Sequence, residues 1–444
     1  MRARTTTSAV IIVLTFLLSL YLSSLAHGVP SFKRQTGRSC TVCHAVFPQL
    51  TPFGRSFKLA GYTMTKPDTP YIPPVSMMVQ ASHTEQKGLA NRVDPFDDQP
   101  DAKTNLPQQA SLFYAGKIIG DLGAFLQVTY DGVENTAFLD NTDIRYVYRA
   151  APAGKNVLLG MTLNNNPGVQ DVWNTMPAWG FPPASSAVAA TPAASALIDG
   201  PLAQQVGGVG IYAFWNNLIY GEVSVYRKNL TGITRVLGSG TVQDTVIDGA
   251  MPYWRLAVQK QWGPQSLSVG TFGLVADVFS GGLSSGPTDR YIDTAFDVQY
   301  QYISKKHIGL AQAVFIHERQ ILDGTFSQGG SANRSNDLDT ARVNAGYHYR
   351  GDYGTIGGTV SYFSITGSND EVLYAPEEVS GSRTGYPDSN GFIFQLDYLP
   401  RDWLKLSLQY TLYDKFNGAR SDYDGFGRDA RDNNTLYFLA WVVF

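Results

Sequence analysis

The chain of 444 residues has only two cysteines and six histidines, and its formal net charge is −3. So few cysteines exclude a disulfide-stapled scaffold, and a structural zinc site would need further Cys or His close by. The near-neutral balance offers no polybasic footprint, so no nucleic-acid partner is expected. Long apolar runs are also missing once the first 26 residues are set aside, and mean hydropathy is −0.13. That excludes a helical membrane protein. It leaves room for a closed β-barrel, the other architecture that pairs every backbone group in lipid.

The one apolar run lies at the N-terminus. Arg2 and Arg4 precede a nearly continuous apolar stretch from Ala9 to Leu22, and Ser24-Leu25-Ala26 follows. The run is short of the ~20 residues a spanning helix needs. It reads as a secretory signal over 1–26, with processing after Ala26 or Gly28.

Both cysteines stand in Cys40-Thr41-Val42-Cys43-His44. C-x-x-C-H is the attachment pattern for c-type haem. On this reading Cys40 and Cys43 bind one covalent haem c and His44 is the proximal iron ligand, so the chemistry is electron transfer. A chance motif, a zinc site or a disulfide would each leave part of the pattern unexplained. Met64 is the first candidate for the distal ligand, ahead of Met77, Met78 and His83. No catalytic residue is expected beyond the haem.

The surrounding segment, 27–75, is rich in proline (Pro30, Pro48, Pro52, Pro67, Pro70, Pro73, Pro74), which forbids long helices. Short helices are expected from Cys40 to about Phe47 and from Phe53 to Leu59. Arg34, Arg38, Arg55 and Lys58 make the segment basic; such charges serve solvation first, or pair with haem propionates. A segment this short buries too little surface to stand alone. It is expected to lean on something larger.

From residue 76 to 444 the pattern is strand-like. Leu404, Leu406, Leu408, Tyr410 and Leu412 alternate with Lys405, Ser407, Gln409 and Thr411. Similar alternation runs through 292–302 and 342–350. Sixteen strand candidates, from 75–83 to 434–444, are joined by connections that alternate short and long. Tight turns fall at Gly120, 151–154, 215–217, Gly263-Pro264, Ser304-Lys305, Gly351-Asp352 and Pro400-Arg401. Long loops fall at 84–108, 165–205, 228–251, 318–339, 365–390 and 414–433. Short turns at one rim and long loops at the other are the layout of an outer-membrane barrel. Terminal Phe444 and the aromatics Tyr148, Trp254, Trp262, Trp403 and Tyr413 suit its last strand and its interfacial girdles. The fold class is therefore all-β: a transmembrane outer-membrane barrel of about sixteen antiparallel strands with a small N-terminal monohaem cytochrome plug.

Two loop features stand out. Acids cluster at Asp94, Asp97, Asp98 and Asp101, at Asp370, Glu371, Glu377 and Glu378, and at Asp422, Asp424, Asp429 and Asp432. They read as solvated surface, or as a weak field for cations at the outer mouth. The aromatic stretch 164–183 is too apolar for a free linker and is expected to fold inward and constrict the lumen; the Ala/Ser/Pro tract 184–196 reads as flexible.

Pro30-Ser31-Phe32, Gln35-Thr36-Gly37, Cys40–His44, Phe47-Pro48, Phe53-Gly54-Arg55, Phe57-Lys58-Leu59 and Gly61-Tyr62 together resemble the fused monohaem cytochrome–porins of iron-oxidising bacteria. The stretch from Asn164 to Pro182 looks like that family too. Lys33 departs from it, where an alanine is common. The resemblance implies a haem segment joined to a sixteen-strand barrel that accepts electrons from extracellular Fe(II). It implies an Fe(II):cytochrome c oxidoreductase that passes them to a periplasmic c-type cytochrome, with outer-membrane lipid around the barrel. In the expected arrangement residues 27–75 enter the barrel from the periplasmic side. Arg145, Arg149, Arg342, His348 and Arg350 are then candidates to contact the plug or the haem. The alternative is a porin that uses another electron donor or passes solutes.

Overall fold

The computed structural model describes residues 30–66, 73–89, 101–229 and 245–444. The signal reading at 1–26 and the acids Asp94, Asp97 and Asp98 lie outside the described residues. The fold is a closed antiparallel barrel. Sixteen long strands pair with their sequence neighbours, from β1 (Val75–Glu85) and β2 (Ala102–Ile119) round to β16 (Leu404–Lys415) and β17 (Thr435–Val443). The two-residue β8 (Ile247–Asp248) sits off this ring, against the long-loop end of β10 (Gln265–Phe279). The ring shuts where β1 meets β17, with Met78 opposite Val443 and Glu85 opposite Leu436. Closure leaves no edge with unpaired backbone groups, which is the condition for crossing hydrocarbon.

Why these segments form strands is visible in their burial. Along β9 (Met251–Trp262), Trp254, Leu256 and Val258 face out while Tyr253, Arg255 and Ala257 face in. The outward set is apolar because it meets lipid. The inward set carries the polar groups, as in β11 (Thr288–Ile303), where Asp293, Asp297, Gln299 and Gln301 are all buried. The short turns lie at one rim and the long loops at the other, so the short-turn rim is the periplasmic one.

The strand positions follow the alternation closely, and the ends differ. β2 starts at Ala102 and β13 (Ser335–Gly351) at Ser335, several residues before the alternation becomes clear. Their outer ends rise above the membrane, where both faces meet loops or water and two-sided patterning is lost. In the N-terminal segment α1 (Pro30–Thr36) is a helix that the proline-rich composition had not suggested. α2 ends at Cys43 (Cys40–Cys43), because His44 is extended (φ −118°, ψ 129°) ahead of the Phe47-Pro48 turn. α3 (Pro52–Leu59) begins one residue early, with Pro52 in the first turn and the Thr51 hydroxyl accepting from Gly54 N–H, a standard N-cap.

Stability in the bilayer rests on the outward face. Phe296, at the middle of β11, is 60% exposed to lipid. Phe296→Arg is expected to cost about 2–4 kcal/mol, and the same change at rim residue Tyr302 about 1 kcal/mol or less. Reversible unfolding in lipid vesicles measures the difference; equal costs would contradict this membrane placement.

Candidate functional site

The lumen is filled by two pieces of the chain itself. The first is the segment 30–66, at the periplasmic mouth. Gly54 lets α3 press against the end of α2: a Cβ there would lie 2.1 Å from the Cys43 carbonyl oxygen. The Thr51 hydroxyl donates to Val42 O, which ties the two helices together. Barrel side chains then hold the segment from several sides. Arg55 donates to Gln299 and Gln301 at 2.8 and 2.7 Å, and to Ser266 at 3.1 Å. Arg350 donates to Ala45 O, Lys405 to Phe47 O and Tyr212 to Leu59 O. The Tyr62 hydroxyl donates to Asp143, and Arg149 reaches Ala60 O and Thr63.

The second piece is the long loop 165–205. Asp171 accepts three backbone N–H groups, from Trp173, Thr175 and Met176, and so fixes the turn. Met176, Ala194, Ala196, Leu197, Ile198 and Leu202 pack on inward-facing Tyr226, Tyr253, Phe272 and Leu274. Ile198 N–H donates to Asp293 and Leu197 N–H to Glu318. Asp199 forms a two-pronged pair with Arg342. The inward fold expected for 164–183 is thus observed. The tract 184–196 is not the flexible linker it resembles: Val188, Ala190, Ala194 and Ala196 are buried, because small side chains fit between the loop and the wall.

The two pieces meet at Lys58. Its ammonium donates to Val169 O and Asp171 O at 2.5 and 2.9 Å and lies 4.8 Å from the Trp179 ring centre. Burial pushes this lysine down to about 7, against the opposing pull of Asp143. Arg55 is also lowered by burial, to about 10.

Between these pieces and the wall of β1, β2, β3 (Leu122–Asp131), β4 (Thr136–Ala150) and β17 lies a cavity of about 280 Å³. Phe32, Phe47, Phe57, Phe113, Phe125, Trp179, Trp441 and Met78 give it an apolar lining, with Gln80, Gln127 and Asn141 as amides and Lys33, Arg38, Lys58, Asp140 and Asp171 as charged groups on its boundary. Cys40, Cys43 and His44 form part of its wall, so the structure does bring these three together. Met64 does not line it; Met78, a lesser candidate in the sequence, does. Of the five lumen candidates, Arg149 and Arg350 touch the N-terminal segment directly, and Arg145 lies over the Tyr62 ring at 6.0 Å. Arg342 serves the long loop, and His348 pairs with Asp397 in the wall. Sequence reasoning missed Lys405, Tyr212, Asp143, Gln299 and Gln301. All sit at inward positions of their strands, which was the only available signal.

No protein-family model matches the chain, and no curated protein matches it. Solved structures do. OmpT, an outer membrane protein of Vibrio cholerae, has a TM-score of 0.45 at 10% identity, over 83% of this chain and 96% of its own. The outer membrane channel DcaP of Acinetobacter baumannii has 0.45 at 14%, over 83% and 96%. Salmonella typhi OmpF, solved with daunomycin, has 0.45 at 11%, over 83% and 97%. The chain is a closed antiparallel β-barrel, with the short-turn and long-loop rims of an outer-membrane barrel.

These findings correct the redox expectations. Among the described residues no group of three or more His, Cys, Asp or Glu side chains comes together to hold a metal ion. Neither cysteine is in a disulfide. Burial, with Cys40 adding to it and Arg38 opposing, pushes the Cys43 thiol up to about 11. The expected distal ligand Met64 lies off the cavity. The haem c cofactor, the Fe(II) donor, the periplasmic cytochrome acceptor and the iron-oxidase activity are therefore withdrawn. So is the family resemblance that implied them. Two acids of the described outer loops have structural partners. Asp370 accepts backbone N–H groups from Ala332, Asn333, Val372 and Leu373, and Asp424 from Val379, Phe426 and Arg428; both fasten the outer loops.

The thiol state is directly measurable. Alkylation of Cys43 is expected to be slow at pH 7 and to quicken about tenfold per pH unit toward 11, because only the thiolate reacts. Peptide mapping after iodoacetamide treatment of a Cys40→Ser variant reads the rate. A cysteine that stays unreactive at pH 11, or reacts equally fast at pH 7, contradicts the free, protonated thiol.

Proposed function

We propose that the chain is a porin-like channel that passes small solutes across the outer membrane. In this reading residues 76–444 form the barrel and 27–75 form a plug that narrows its periplasmic mouth. The observation that carries the reading is the cavity of about 280 Å³ between the plug and the wall of a closed barrel. Its volume is close to the lower end of sites that hold small molecules. Its aromatic lining suits a solute with an apolar body, and its amides and the charged groups Lys33, Arg38, Lys58, Asp140 and Asp171 suit a polar or charged end. Cys40, Cys43 and His44 are wall residues of this passage, and Met64 supports the plug from outside it. The long loop supplies the second constriction, held by Asp293, Glu318 and Arg342.

The plug is held by many hydrogen bonds from barrel side chains, so the passage is narrow and the plug does not leave the lumen while the barrel is folded. Planar-bilayer recording tests this. Small conductance steps are expected from the full chain. A charged methanethiosulfonate applied at pH 9 should reduce them, and a Cys40→Ser/Cys43→Ser variant should conduct but resist the reagent. No conductance above an empty bilayer, or equal block of the double variant, overturns the reading.

A further inference from the structure

On the outer face of the barrel, at the periplasmic rim, the strands from β9 to β13 carry a compact basic and aromatic patch. We propose that this patch binds the headgroups of anionic phospholipids in the periplasmic leaflet of the outer membrane. Three observations support it.

The first is placement. Lys260 occupies the lipid-facing row of β9, directly between Val258 and Trp262, and is exposed. It points out from the barrel wall, not along the barrel axis toward the periplasm. Two strands on, the turn between β11 and β12 (His307–Ile321) exposes Lys305, Lys306 and His307 together. The register brings these groups side by side. Trp262 lies opposite Gln265, Gln265 opposite Tyr302, and Tyr302 opposite Gly309; His307 lies opposite Tyr349.

The second is the aromatic frame. Trp262, Tyr302, Tyr347 and Tyr349 are all exposed at the same rim. The Tyr347 hydroxyl lies 2.7 Å from His307 Nδ1, and the Tyr349 ring centre 5.5 Å from that of His307. Tyrosine and tryptophan at this height mark the headgroup level. Lysines among them extend their apolar stems along the wall and place their ammonium groups at that level.

The third is charge complementarity. The turns at 263–264 and 304–306 contain no acid, and the nearest turn acid in sequence order is Asp352, beyond β13. A lysine in a lipid-facing row is costly at mid-membrane and nearly neutral at the interface. A phosphate at interface depth supplies the counter-charge that this side of the wall lacks. A soluble acidic protein would meet cations pointing along the axis, whereas Lys260 points into the membrane plane.

Native mass spectrometry of the full chain, released from membranes and exchanged against defined lipids, tests the proposal. Phosphatidylglycerol should be retained in preference to phosphatidylcholine. Lys260→Gln, Lys305→Gln and Lys306→Gln should each weaken that preference by about fivefold, from the ~1 kcal/mol that one lysine near an anionic surface contributes. Unchanged heat-modifiable mobility on gels shows that each variant still folds. Equal retention of the two lipids by the native protein overturns the proposal, as does full preference in the triple variant. Displacement of the bound lipid by soluble polyglutamate at equal charge also overturns it, in favour of an acidic protein partner.

Discussion

The pairing of β1 with β17 is the interaction on which the rest depends. Eight residue pairs, from Met78–Val443 to Glu85–Leu436, join the two ends of the sheet. Without them the structure would present two open edges to hydrocarbon, where no water can satisfy the exposed N–H and C=O groups. Closure then sorts every strand into a lipid face and a lumen face. The apolar outward rows and the buried inward amides and carboxylates are two consequences of that one event.

A closed ring of sixteen strands encloses a polar interior wide enough to need filling or wetting. This chain fills much of it with itself. The N-terminal segment brings backbone carbonyls to Arg350, Lys405, Arg149 and Tyr212, and a guanidinium to Gln299 and Gln301. The long loop brings backbone N–H groups to Asp293 and Glu318. These polar groups of the wall thereby gain partners on the inserted chain. The segment gains a surface that supports it, since it is too short to bury a core alone. Where the two pieces fail to meet the wall, the aromatic cavity is left.

Much of the barrel was legible in the sequence, because period-two alternation reports directly on which face meets lipid. Leu404 to Leu412 read correctly for that reason, and tight turns such as Gly263-Pro264 fixed the rim. The inward fold of 164–183 showed in its aromatic content. Other parts left no local trace. The buried state of 184–196 depends on distant strands, and alanines fit a linker and a tight gap equally well. The wall partners of Arg55 lie more than 200 residues away in sequence. The C-x-x-C-H pattern was read as a haem attachment site, whereas in the structure Cys40, Cys43 and His44 are part of the cavity wall. It did not show the burial that pushes the Cys43 thiol up, which spacing cannot report. Met64 was chosen for its distance along the chain, and the cavity is lined by Met78 on the wall instead.

The central claim is that the N-terminal segment lies inside the barrel mouth. A photo-crosslinking residue at Tyr62 tests it most directly, since the Tyr62 hydroxyl meets Asp143 on the inner wall. Irradiation of the full chain in outer membranes should give an intramolecular adduct, mapped by peptide sequencing to the stretch around Asp143. Adducts formed only with other proteins or with lipid would contradict the account.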